Sequence, residues 1–557
     1  MGNKYHKYIL LLIILLAAFL RFWKLGSYPA LNADEAAIGY NAYSLLETGK
    51  DEHGNPWPIH FQSFNDYKPG LYFYMVLPFV KFIGLNAWSV RIPGTLFGLL
   101  TIYLVYLLVG ELFDNKKLAI GDLKLGTGHV ASFLLAISPW HIHFSRGGWE
   151  VNVATFFIVL GLWFFLKGLN NIVYLFLSSL VFTLSLYAYH SARVITPLIG
   201  VGLFLIYFKY VRKHLLNFAL AALVGLVTLM PLAKDLTKGN ITSRMAGVGL
   251  FADTGPLART NEQRGEHNNF QGLFSKTIHN KLVNYGLAFT NNWVKHYNGE
   301  FLFLSGDVIE RNRVPETGQM YLFDILFIVC GIIFVIKSSL SQYFKSYTLI
   351  LWWLIVAPVG AALTFQSPHA LRAQNMVVPL TIISATGLSA IIYWIKELRF
   401  SKFIKSFVYL FIGLFVIWNF TRYEHMYWVH MAKEYPFSSQ YGIKELVNYV
   451  EENGDKFNKI VVSNRYDQPY ILFLFYLKYP PARFQGNHEL TQRDTYNFST
   501  VRNFDKFEFN KINWDEDRVK YPGALFAGTD KEILEESNIV EEIYGTNGYK
   551  YFQIVAN

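Results

Sequence analysis

The sequence predicts an α-helical polytopic membrane protein with a small α/β domain at its carboxyl terminus. Of 557 residues, 52% are hydrophobic and only 16% are charged, whereas about one quarter of the residues in a soluble domain are charged. The apolar residues gather in long runs separated by short basic clusters, and the composition changes near residue 434. Because so much apolar surface needs lipid to face, an ordinary soluble enzyme is excluded.

About eleven apolar runs approach the length that a bilayer requires. They lie near residues 10–25, 91–113, 127–144, 151–167, 171–189, 194–210, 217–233, 319–337, 347–365, 375–395 and 406–421. The first run lacks a small-residue cleavage site and is followed by Arg21, Trp23 and Lys24, so we expect an uncleaved helix rather than a signal peptide.

A further apolar stretch, GLYFYMVLPFVKFIG at 70–84, is broken by Pro78 and Lys81. Its uninterrupted apolar core is only about ten residues, too short to span a bilayer. We therefore predict an interfacial or re-entrant helix there.

The basic clusters orient these helices. The clusters are Lys4/Lys7, Lys116/Lys117/Lys124, Lys209/Arg212/Lys213, Lys337/Lys345 and Lys396/Arg399/Lys402/Lys405. If the eleven runs cross, every cluster falls on the cytoplasmic side with the amino terminus, as the positive-inside rule requires. This placement accounts for the net charge of +10 without nucleic acid as a partner, since the clusters form no single basic face.

The same topology places the remaining loops on the outer side of the cell membrane. These are 26–90, 145–150, 190–193, 234–318 and 366–374, together with the carboxyl-terminal tail. We expect a membrane domain at 1–425 and an extracytoplasmic α/β domain at 434–557. In the latter, YGIKELVNYVEENG predicts a helix, KIVVSN and GALFAGT predict strands, and NIVEEIYGTNGYKYFQIVA predicts a hairpin. This domain has no phosphate-binding glycine loop or nucleophile motif, so we assign it to support or acceptor recognition.

Two adjacent acids, Asp34 and Glu35, begin the first outer loop in PALNADEAAIGYNAY. Acids favour helix amino termini, so capping is one interpretation. The other is that they form the chemical centre of a membrane enzyme. Lys68 in NDYKPGLYFY also has two interpretations. Its ammonium either extends toward the lipid phosphates of the membrane surface or binds a phosphate leaving group.

Further charged residues lie in the later outer turns. Arg146 and Glu150 occur in SPWHIHFSRGGWEVN, where Glu150 could also be a helix cap. His141 and His143 in this motif have no further ligands nearby, so their spacing does not predict a metal site. The single cysteine, Cys330, excludes an intramolecular disulfide.

Two more turns each carry one histidine and one arginine, in YAYHSARV (His190 and Arg193) and QSPHALRAQN (His369 and Arg372). One interfacial arginine is usually an anchor. Several outer cations directed at one acidic pair are harder to explain by anchoring alone.

These motifs together resemble the type C membrane-embedded glycosyltransferases of the protein O-mannosyltransferase and lipid A aminoarabinose transferase kind, grouped as family 39. The resemblance covers roughly residues 8–425. It is carried by DE at 34–35, YKPGLYFY at 67–74, RIPGTLFGLL at 91–100, SPWHIHFSRGGWE at 138–150, FLFLSGDVIERNRVPETGQMYLFD at 301–324 and SPHALRAQNMVVPL at 367–380.

The resemblance implies a type C glycosyltransferase fold and transfer of a hexose or pentose from a polyprenyl-phosphate carrier to a lipid, glycan or protein acceptor. It implies catalytic carboxylates at Asp34, Glu35 and Glu150, of which Glu150 departs from the more usual Asp. It further implies phosphate-binding residues at Lys68, Arg193 and Arg372, and substrate-binding residues at Tyr67, Arg146, His190 and His369.

The chemistry of these groups suits direct displacement. A carboxylate can accept the proton of the attacking hydroxyl, and cations can stabilise the departing phosphate. We therefore expect inversion at the anomeric carbon, with no cofactor and no metal. A transporter or flippase of lipid-linked sugars is the alternative, although the chain shows no repeated pair of Gly/Pro-interrupted half-helices. A structural or receptor protein is a third possibility, but it leaves the charged cluster without a purpose.

Overall fold

The computed structural model describes residues 2–64, 66–113, 126–238, 247–267, 270–338, 343–438, 440–494, 498–534 and 537–557. Within these ranges, seven helices are long and apolar enough to cross a membrane: Tyr5–Phe22, Ala87–Phe113, Glu150–Gly168, Leu215–Leu236, Phe344–Ala362, Gln374–Glu397 and Lys402–Glu434. Shorter apolar helices are Leu71–Ile83, Thr127–Ile137, Ile172–Ala188, Ala192–Ile206 and Leu322–Ile336. The predicted multi-pass helical fold class is confirmed. The basic cluster at 116–124 lies outside the described residues, as do the side chains of Lys4 and Lys337.

The helices of the amino-terminal half are α1 (Gly2–Phe22), α2 (Ala33–Thr48), α3 (Leu71–Ile83), α4 (Ala87–Phe113), α5 (Thr127–Ile137), α6 (Pro139–Ser145), α7 (Glu150–Gly168), α8 (Ile172–Ala188), α9 (Ala192–Ile206), α10 (Phe208–Lys213) and α11 (Leu215–Leu236). After them come α12 (Gly255–Glu266), α13 (Leu273–Ile278), α14 (Lys281–Lys295), α15 (Leu322–Ser338), α16 (Phe344–Val356), α17 (Val359–Ala362), α18 (Val377–Glu397), α19 (Lys402–His425) and α20 (Met431–Glu434).

Each predicted apolar run coincides with one or more of these helices. The run at 127–144 is interrupted, because Pro139 lacks an amide hydrogen and Ser138 caps a new helix, with its Oγ accepting from the His141 amide. The stretch at 70–84 forms α3, with 13 residues and Pro78 inside it. At about 1.5 Å per residue it is about 20 Å long, which is shorter than a bilayer core.

Small residues on α4 allow the chain around residue 147 to approach closely. A Cβ at Gly94 would lie 2.7 Å from the Gly147 carbonyl oxygen, and one at Gly98 would lie 2.6 Å from Ser145 Cβ. The Asn152 side chain also donates to the Gly94 carbonyl, at 2.7 Å. The GxxxG pair therefore has the packing role that its spacing indicates, and it fixes the turn that precedes Glu150.

A β-hairpin lies between α2 and α3 that the apolar pattern did not predict. Strands β1 (His60–Ser63) and β2 (Asp66–Pro69) pair antiparallel, with Phe61 opposite Lys68. The hairpin is too short to show a period of alternation, so the sequence identified Lys68 but not the element that carries it.

The carboxyl-terminal part is an α/β domain, as predicted. Its helices are α21 (Ile443–Asn453), α22 (Pro469–Tyr476), α23 (Pro481–Phe484) and α24 (Trp514–Lys520), and its strands are β3 (Ile460–Ser463), β4 (His488–Leu490), β5 (Val501–Phe504), β6 (Phe507–Asn510), β7 (Leu525–Gly528), β8 (Ile539–Tyr544) and β9 (Lys550–Ala556). In the described residues these strands form one sheet in the order β4-β5-β6-β3-β7-β9-β8, and β3 runs parallel to both neighbours. The predicted helix, both predicted strands and the hairpin are present. Strands β4–β6 and helix α22 are additions.

This domain packs directly against α2. The Tyr40 hydroxyl donates to the Tyr479 carbonyl at 2.9 Å, and a Cβ at Gly39 would lie 2.6 Å from the Phe475 ring. Near the end of α2, the Gln485 amide donates to the side chains of Ser44 and Thr48. The helix that begins beside Asp34 is therefore held along its length by the carboxyl-terminal domain.

Candidate active site

A cavity of about 560 Å³ lies where the predicted outer loops meet the carboxyl-terminal domain. Each predicted outer loop contributes to its wall, with residues such as Asp34, Glu150, His190, Arg311 and Arg372. The carboxyl-terminal domain contributes as well. All the charged lining residues are Asp34, Asp66, Lys68, Glu150, Arg311, Arg372, Arg465, Asp467 and Asp494. The cavity is thus polar, and charges of both signs lie along its wall.

Asp34 stands at the start of α2 between two cations. Its Oδ1 accepts from Lys68 Nζ at 2.6 Å, and its Oδ2 accepts from Arg311 Nη1 at 3.2 Å. The Asp34 side chain is 25% exposed, whereas that of Lys68 is 7% exposed and lies over the Phe64 ring. The carboxylate is therefore accessible from the cavity while both its oxygens face positive charge.

Glu35, the adjacent acid, lies away from the cavity. It completes a capping box with Asn32, whose side chain accepts from the Glu35 amide. Its two carboxylate oxygens also accept from Arg91 Nε and Nη2, each at 2.7 Å, and the Gly148 amide donates to it at 2.9 Å. Arg91 in turn binds the carbonyls of Leu25 and Pro29. The capping interpretation thus applies to Glu35, whose contacts hold the loop before α2 and the turn at 145–150. The catalytic role of Glu35 stays a prediction.

Arg311 reaches Asp34 from the loop between α14 and α15. The Arg311 carbonyl accepts from His143 Nε2 at 2.9 Å. In the same loop, buried Asp307 accepts from the amides of Ile309 and Ala370, at 2.9 and 2.6 Å. Burial raises the pKa of Asp307. Asp307 therefore ties the loop that carries Arg311 to the turn that carries His369 and Arg372.

The turn at 366–374 places two predicted residues on the cavity wall. His369 and Arg372 are both buried by their surroundings and both line the cavity. Arg372 Nη1 donates to the Thr364 hydroxyl at 2.7 Å, and the His369 amide donates to His296 Nε2 at 3.2 Å. The bond to Thr364 orients the Arg372 guanidinium, and the bond to His296 fixes the backbone of the turn.

Arg193 lies behind the wall rather than on it. Its Nη2 donates to His60 Nε2 at 2.6 Å, and its Nη1 donates to His190 Nδ1 at 3.1 Å. His60 Nδ1 donates to Asp235 at 2.6 Å. A guanidinium can only donate hydrogen bonds, so His60 Nε2 must be the unprotonated nitrogen that accepts from Arg193, and the imidazole is neutral. Burial favours this neutral form because it lowers the pKa of His60. Of this group, His190 reaches the cavity, and Arg193 supports His190. The direct phosphate contact of Arg193 stays a prediction.

Of the other predicted residues, one lies on the cavity wall and two lie away from it. Glu150 begins α7 and lines the cavity. Arg146 is 1% exposed and donates to Tyr427 and to the carbonyls of Leu20 and Trp23. Tyr67, on β2 opposite Gln62, is absent from the described cavity wall. The hydrogen bonds of Arg146 hold the loop after α1. The described cavity wall includes neither Arg146 nor Tyr67, so their substrate contacts stay predictions.

Several residues of the wall were not predicted. Arg311 lies within FLFLSGDVIERNRVPETG, so the motif at 301–324 was recognised without its key cation. Asp66 lies within the quoted motif NDYKPGLYFY but was not singled out, and Arg465, Asp467 and Asp494 lie in no quoted motif. Asp467 is exposed to the cavity, and partial removal from bulk water, followed by the charge of Asp34, raises the pKa of Asp467.

The acids of the wall do not form an evident metal centre. Among the described residues, no group of three or more His, Cys, Asp or Glu side chains could hold a metal ion. His141 and His143 also diverge, since His141 Nδ1 contacts Arg21 while His143 donates to Arg311. The wall instead alternates acids with ammonium and guanidinium groups, which suits an anionic ligand beside a hydroxyl group.

Comparison with known families confirms the predicted resemblance. Residues 11–229 match the sequence profile of the family described as Dolichyl-phosphate-mannose-protein mannosyltransferase. This segment includes Asp34, Lys68 and Glu150. A sequence search of curated proteins finds no match.

Solved structures share the fold. ArnT from Cupriavidus metallidurans in the apo state has a TM-score of 0.54 at 12% identity, over 98% of this chain and 97% of that one. The same protein bound to undecaprenyl phosphate gives 0.54 at 13%, with equal coverage. The archaeal oligosaccharyltransferase AglB from Archaeoglobus fulgidus, in complex with an inhibitory peptide and a dolichol-phosphate, gives 0.52 at 16% over 85% of this chain. This chain spans 64% of the length of AglB. The fold is that of the type C glycosyltransferases.

Proposed function

From the family match of residues 11–229 and the charges of the cavity, we propose that this protein is a glycosyltransferase whose donor is a polyprenyl-phosphate-linked sugar. The observation that carries the proposal is the Asp34 carboxylate, held between Lys68 and Arg311 at the cavity wall. Sugar transfer from a phosphate carrier requires a proton acceptor beside cations that bind phosphate. ArnT, which has the same fold, binds undecaprenyl phosphate, and this supports the choice of carrier.

The ion pairs of Asp34 suggest how the donor prepares the site. A donor phosphate competes with Asp34 for the ammonium of Lys68 and the guanidinium of Arg311. When these cations turn to the phosphate, the oxygens of Asp34 become available to an acceptor hydroxyl. Donor binding would thus precede and permit activation of the acceptor.

The transfer itself is a single displacement. The acceptor oxygen attacks the anomeric carbon while Asp34 takes its proton. The bond from that carbon to the phosphate oxygen breaks, and the polyprenyl phosphate leaves with the electron pair. Lys68, Arg311 and Arg372 stabilise the charge that develops on the phosphate. One displacement inverts the anomeric configuration and needs neither a nucleotide sugar nor a metal.

The remaining residues of the wall support these steps. Glu150 lies on the wall, where it can accept a hydrogen bond from a sugar hydroxyl. His190 and His369 provide ring nitrogens to the donor or acceptor, and Arg193 holds His190 in one tautomer. Glu35 acts through position alone, by fixing the loop in front of Asp34.

The proposed location is the extracytoplasmic side of the cell membrane. The basic clusters orient the amino terminus toward the cytoplasm under the positive-inside rule. The loops that line the cavity then lie outside, where lipid-linked sugars are used and where lipid, glycan and protein acceptors are exposed.

The experiment is a transfer assay with purified full-length protein in lipid. Polyprenyl-phosphate sugars carrying radiolabelled hexoses or pentoses are offered with an envelope extract of the source cells, with and without a chelator. We expect one donor to be consumed equally in both conditions, and nuclear magnetic resonance to show an inverted product. A product with the donor's configuration, or activity lost with chelator and restored by Mg²⁺ or Mn²⁺, would contradict the mechanism. Movement of intact donor across the bilayer without cleavage would establish the flippase alternative.

A further inference from the structure

The carboxyl-terminal domain supplies one wall of the cavity through the loop between β3 and α22. This loop places Arg465, Asp467 and Gln468 on the wall, and Phe437 lies beside them. None of these residues is in the segment that matches the family profile, which ends at residue 229. The wall faces Asp34 from outside the membrane helices, so it lies on the side from which an acceptor would approach.

Asp467 and Asp34 interact electrostatically across the cavity. The negative charge of Asp34 acts on Asp467, and so do the positive charges of Arg311 and Lys68. Asp467, Asp34 and Arg311 also line the same cavity. An acceptor bound in this cavity beside Asp34 can therefore reach the exposed carboxylate of Asp467.

Arg465 is held rigidly next to Asp467. Its guanidinium carbon lies 4.5 Å from the Phe437 ring centroid and 5.2 Å from that of Tyr549. Its Nη1 donates to the Tyr551 carbonyl at 2.8 Å, and its Nη2 donates to the Tyr549 hydroxyl at 3.0 Å. Stacking and hydrogen bonds together leave this side chain few alternative rotamers. It is a fixed part of the wall and not a mobile surface arginine.

Gln468 gives an independent indication that the wall meets a polar ligand. The side chain is 6% exposed, and its Oε1 lacks a hydrogen-bond partner among the described residues. Its Nε2 donates to the Ser499 carbonyl at 3.3 Å. A buried amide oxygen without a partner is costly. This oxygen has almost no accessible surface, so a small movement of the side chain toward the cavity is what would let a ligand hydroxyl or water satisfy it.

One glutamine connects this wall to the proposed base. Gln440 Oε1 accepts from the amide of Ala33, the residue before Asp34, at 2.5 Å. Its Nε2 donates to the Asp467 carbonyl at 2.7 Å. Gln440 and Gln468 both adopt left-handed backbone conformations, with φ of 50° and 54°. Such strain in residues other than glycine persists where the surrounding structure enforces it, commonly at functional sites.

We propose that the loop at 465–468 is the acceptor-binding wall. In it, Asp467 accepts a hydrogen bond from a hydroxyl of the acceptor, and Gln440 positions the loop relative to Asp34. This inference rests on the proposed glycosyl transfer and extends it to the acceptor. Asp467, Asp494 and Arg465 together give the wall a net charge of −1. This charge disfavours binding of a polyanionic acceptor. A carboxylate, a guanidinium and an amide beside an aromatic ring match a neutral, hydroxyl-rich acceptor such as a glycan.

The test uses the full-length protein in lipid with the labelled donor that the wild type consumes. Neutral glycan, anionic lipid and protein fractions of the envelope extract are offered separately. The measured quantities are the ratio of transfer to hydrolysis, and kcat and KM for the acceptor fraction. The variants are Asp467→Asn, which conserves shape, and Gln440→Ala. Gln485→Ala is the matched control, because Gln485 also joins this domain to α2 but at the far end of the helix.

We expect label in the neutral glycan fraction. For Asp467→Asn, the ratio of transfer to hydrolysis should fall roughly tenfold, the effect of losing one charge-assisted hydrogen bond. Gln440→Ala should raise the KM for the acceptor more than it lowers kcat, and Gln485→Ala should behave as the wild type. Label only in protein or anionic lipid, or an unchanged ratio in Asp467→Asn, would overturn the inference while leaving the transferase intact. A wild type that consumes no donor would overturn the proposed function and this inference with it.

Discussion

Asp34 and Glu35 are neighbours on the first turn of α2, yet their carboxylates have different surroundings. Asp34 faces a cavity and two cations, whereas Glu35 is 1% exposed and held by Arg91. Consecutive helix positions point about 100° apart, so adjacent acids cannot share one site. One acid is thus available for chemistry because the other organises the loop.

Glu35 is expected to matter for stability more than for the chemical step. In Glu35→Gln the Arg91 guanidinium loses its buried counter-charge, and breaking such a pair costs about 3–5 kcal/mol. We predict a clearly lower unfolding temperature for this variant in detergent, with the donor affinity of the remaining folded protein retained. An unfolding temperature equal to that of the wild type would show that the pair does not hold the loop.

The cations around Asp34 are expected to set the affinity for the lipid carrier. Removing the ammonium in Lys68→Met, or the guanidinium in Arg311→Met, should weaken binding of undecaprenyl phosphate about tenfold or more, since charged hydrogen bonds contribute about 1.5–3 kcal/mol. Binding can be measured by calorimetry in nanodiscs at two salt concentrations. Lys167→Met is the control, because Lys167 pairs with Glu111 away from the cavity. If both site variants bound undecaprenyl phosphate as tightly as the wild type, the phosphate would not bind between Lys68 and Arg311.

At the scale of elements, the apolar pattern of the sequence predicted most of the helices that frame the site. Long runs such as 91–113 and 375–395 are unambiguous, because burial in lipid demands them. The predicted strands at 460 and 525 are likewise short buried apolar runs. The β1–β2 hairpin was missed, since it consists of two four-residue strands with no repeating pattern. Strands β4–β6 were missed for a similar reason, because each has only three or four residues.

Among the predicted site residues, those where a motif coincides with a loop between helices lie together. Lys68, Glu150, His369 and Arg372 all line the cavity, while their roles there stay predictions. Arg193 and Arg146 were expected there because the family resemblance implies a phosphate-binding role for the first and a substrate-binding role for the second. The structure satisfies both through carbonyls and histidines instead. Which partner a long cation selects depends on tertiary packing, and no local pattern encodes it.

The loop between α2 and β1 contains a carboxyl group whose burial should make stability depend on pH. Removal from water, and then the charge of Asp51, raise the pKa of Glu52 to about 8. The folded state therefore binds this proton more tightly than the unfolded state, whose Glu pKa is near 4.3. Stability from this group is fully present below about pH 4.3 and decreases as the pH rises toward 8, by at most about 1.4 kcal/mol per pH unit.

The corresponding variant is Glu52→Gln, which keeps the shape and removes the titration. Its unfolding temperature should vary less than that of the wild type between pH 5 and 8, with the largest gain over the wild type at the alkaline end. Parallel curves for the two proteins across this range would show that Glu52 does not titrate on folding.

At the scale of the whole molecule, the membrane helices and the carboxyl-terminal domain share one apolar core. Buried residues of α2, such as Tyr40, belong to the same cluster as Phe475 of α22 and Phe504 of β5. Removing the domain would expose this surface and delete one wall of the cavity. The domain is therefore an integral part of the folded protein and not an attached module.

Deletion of residues 441–557 should consequently yield an aggregated protein in detergent, seen as void-volume elution in size-exclusion chromatography. Full-length Gln485→Ala, which loses contacts between the domain and α2 but keeps the core, should remain monodisperse. A truncated protein that is monodisperse and binds undecaprenyl phosphate would contradict the shared core.

We propose that Asp34 is the general base in the transfer of a sugar from a polyprenyl-phosphate donor. The most direct measurement compares wild type and Asp34→Asn for donor consumption and for binding of undecaprenyl phosphate. We predict that Asn lowers the rate roughly 10²–10⁴-fold, as loss of a general base does, while the variant still binds the lipid. A variant that consumes the donor at the wild-type rate would contradict the account.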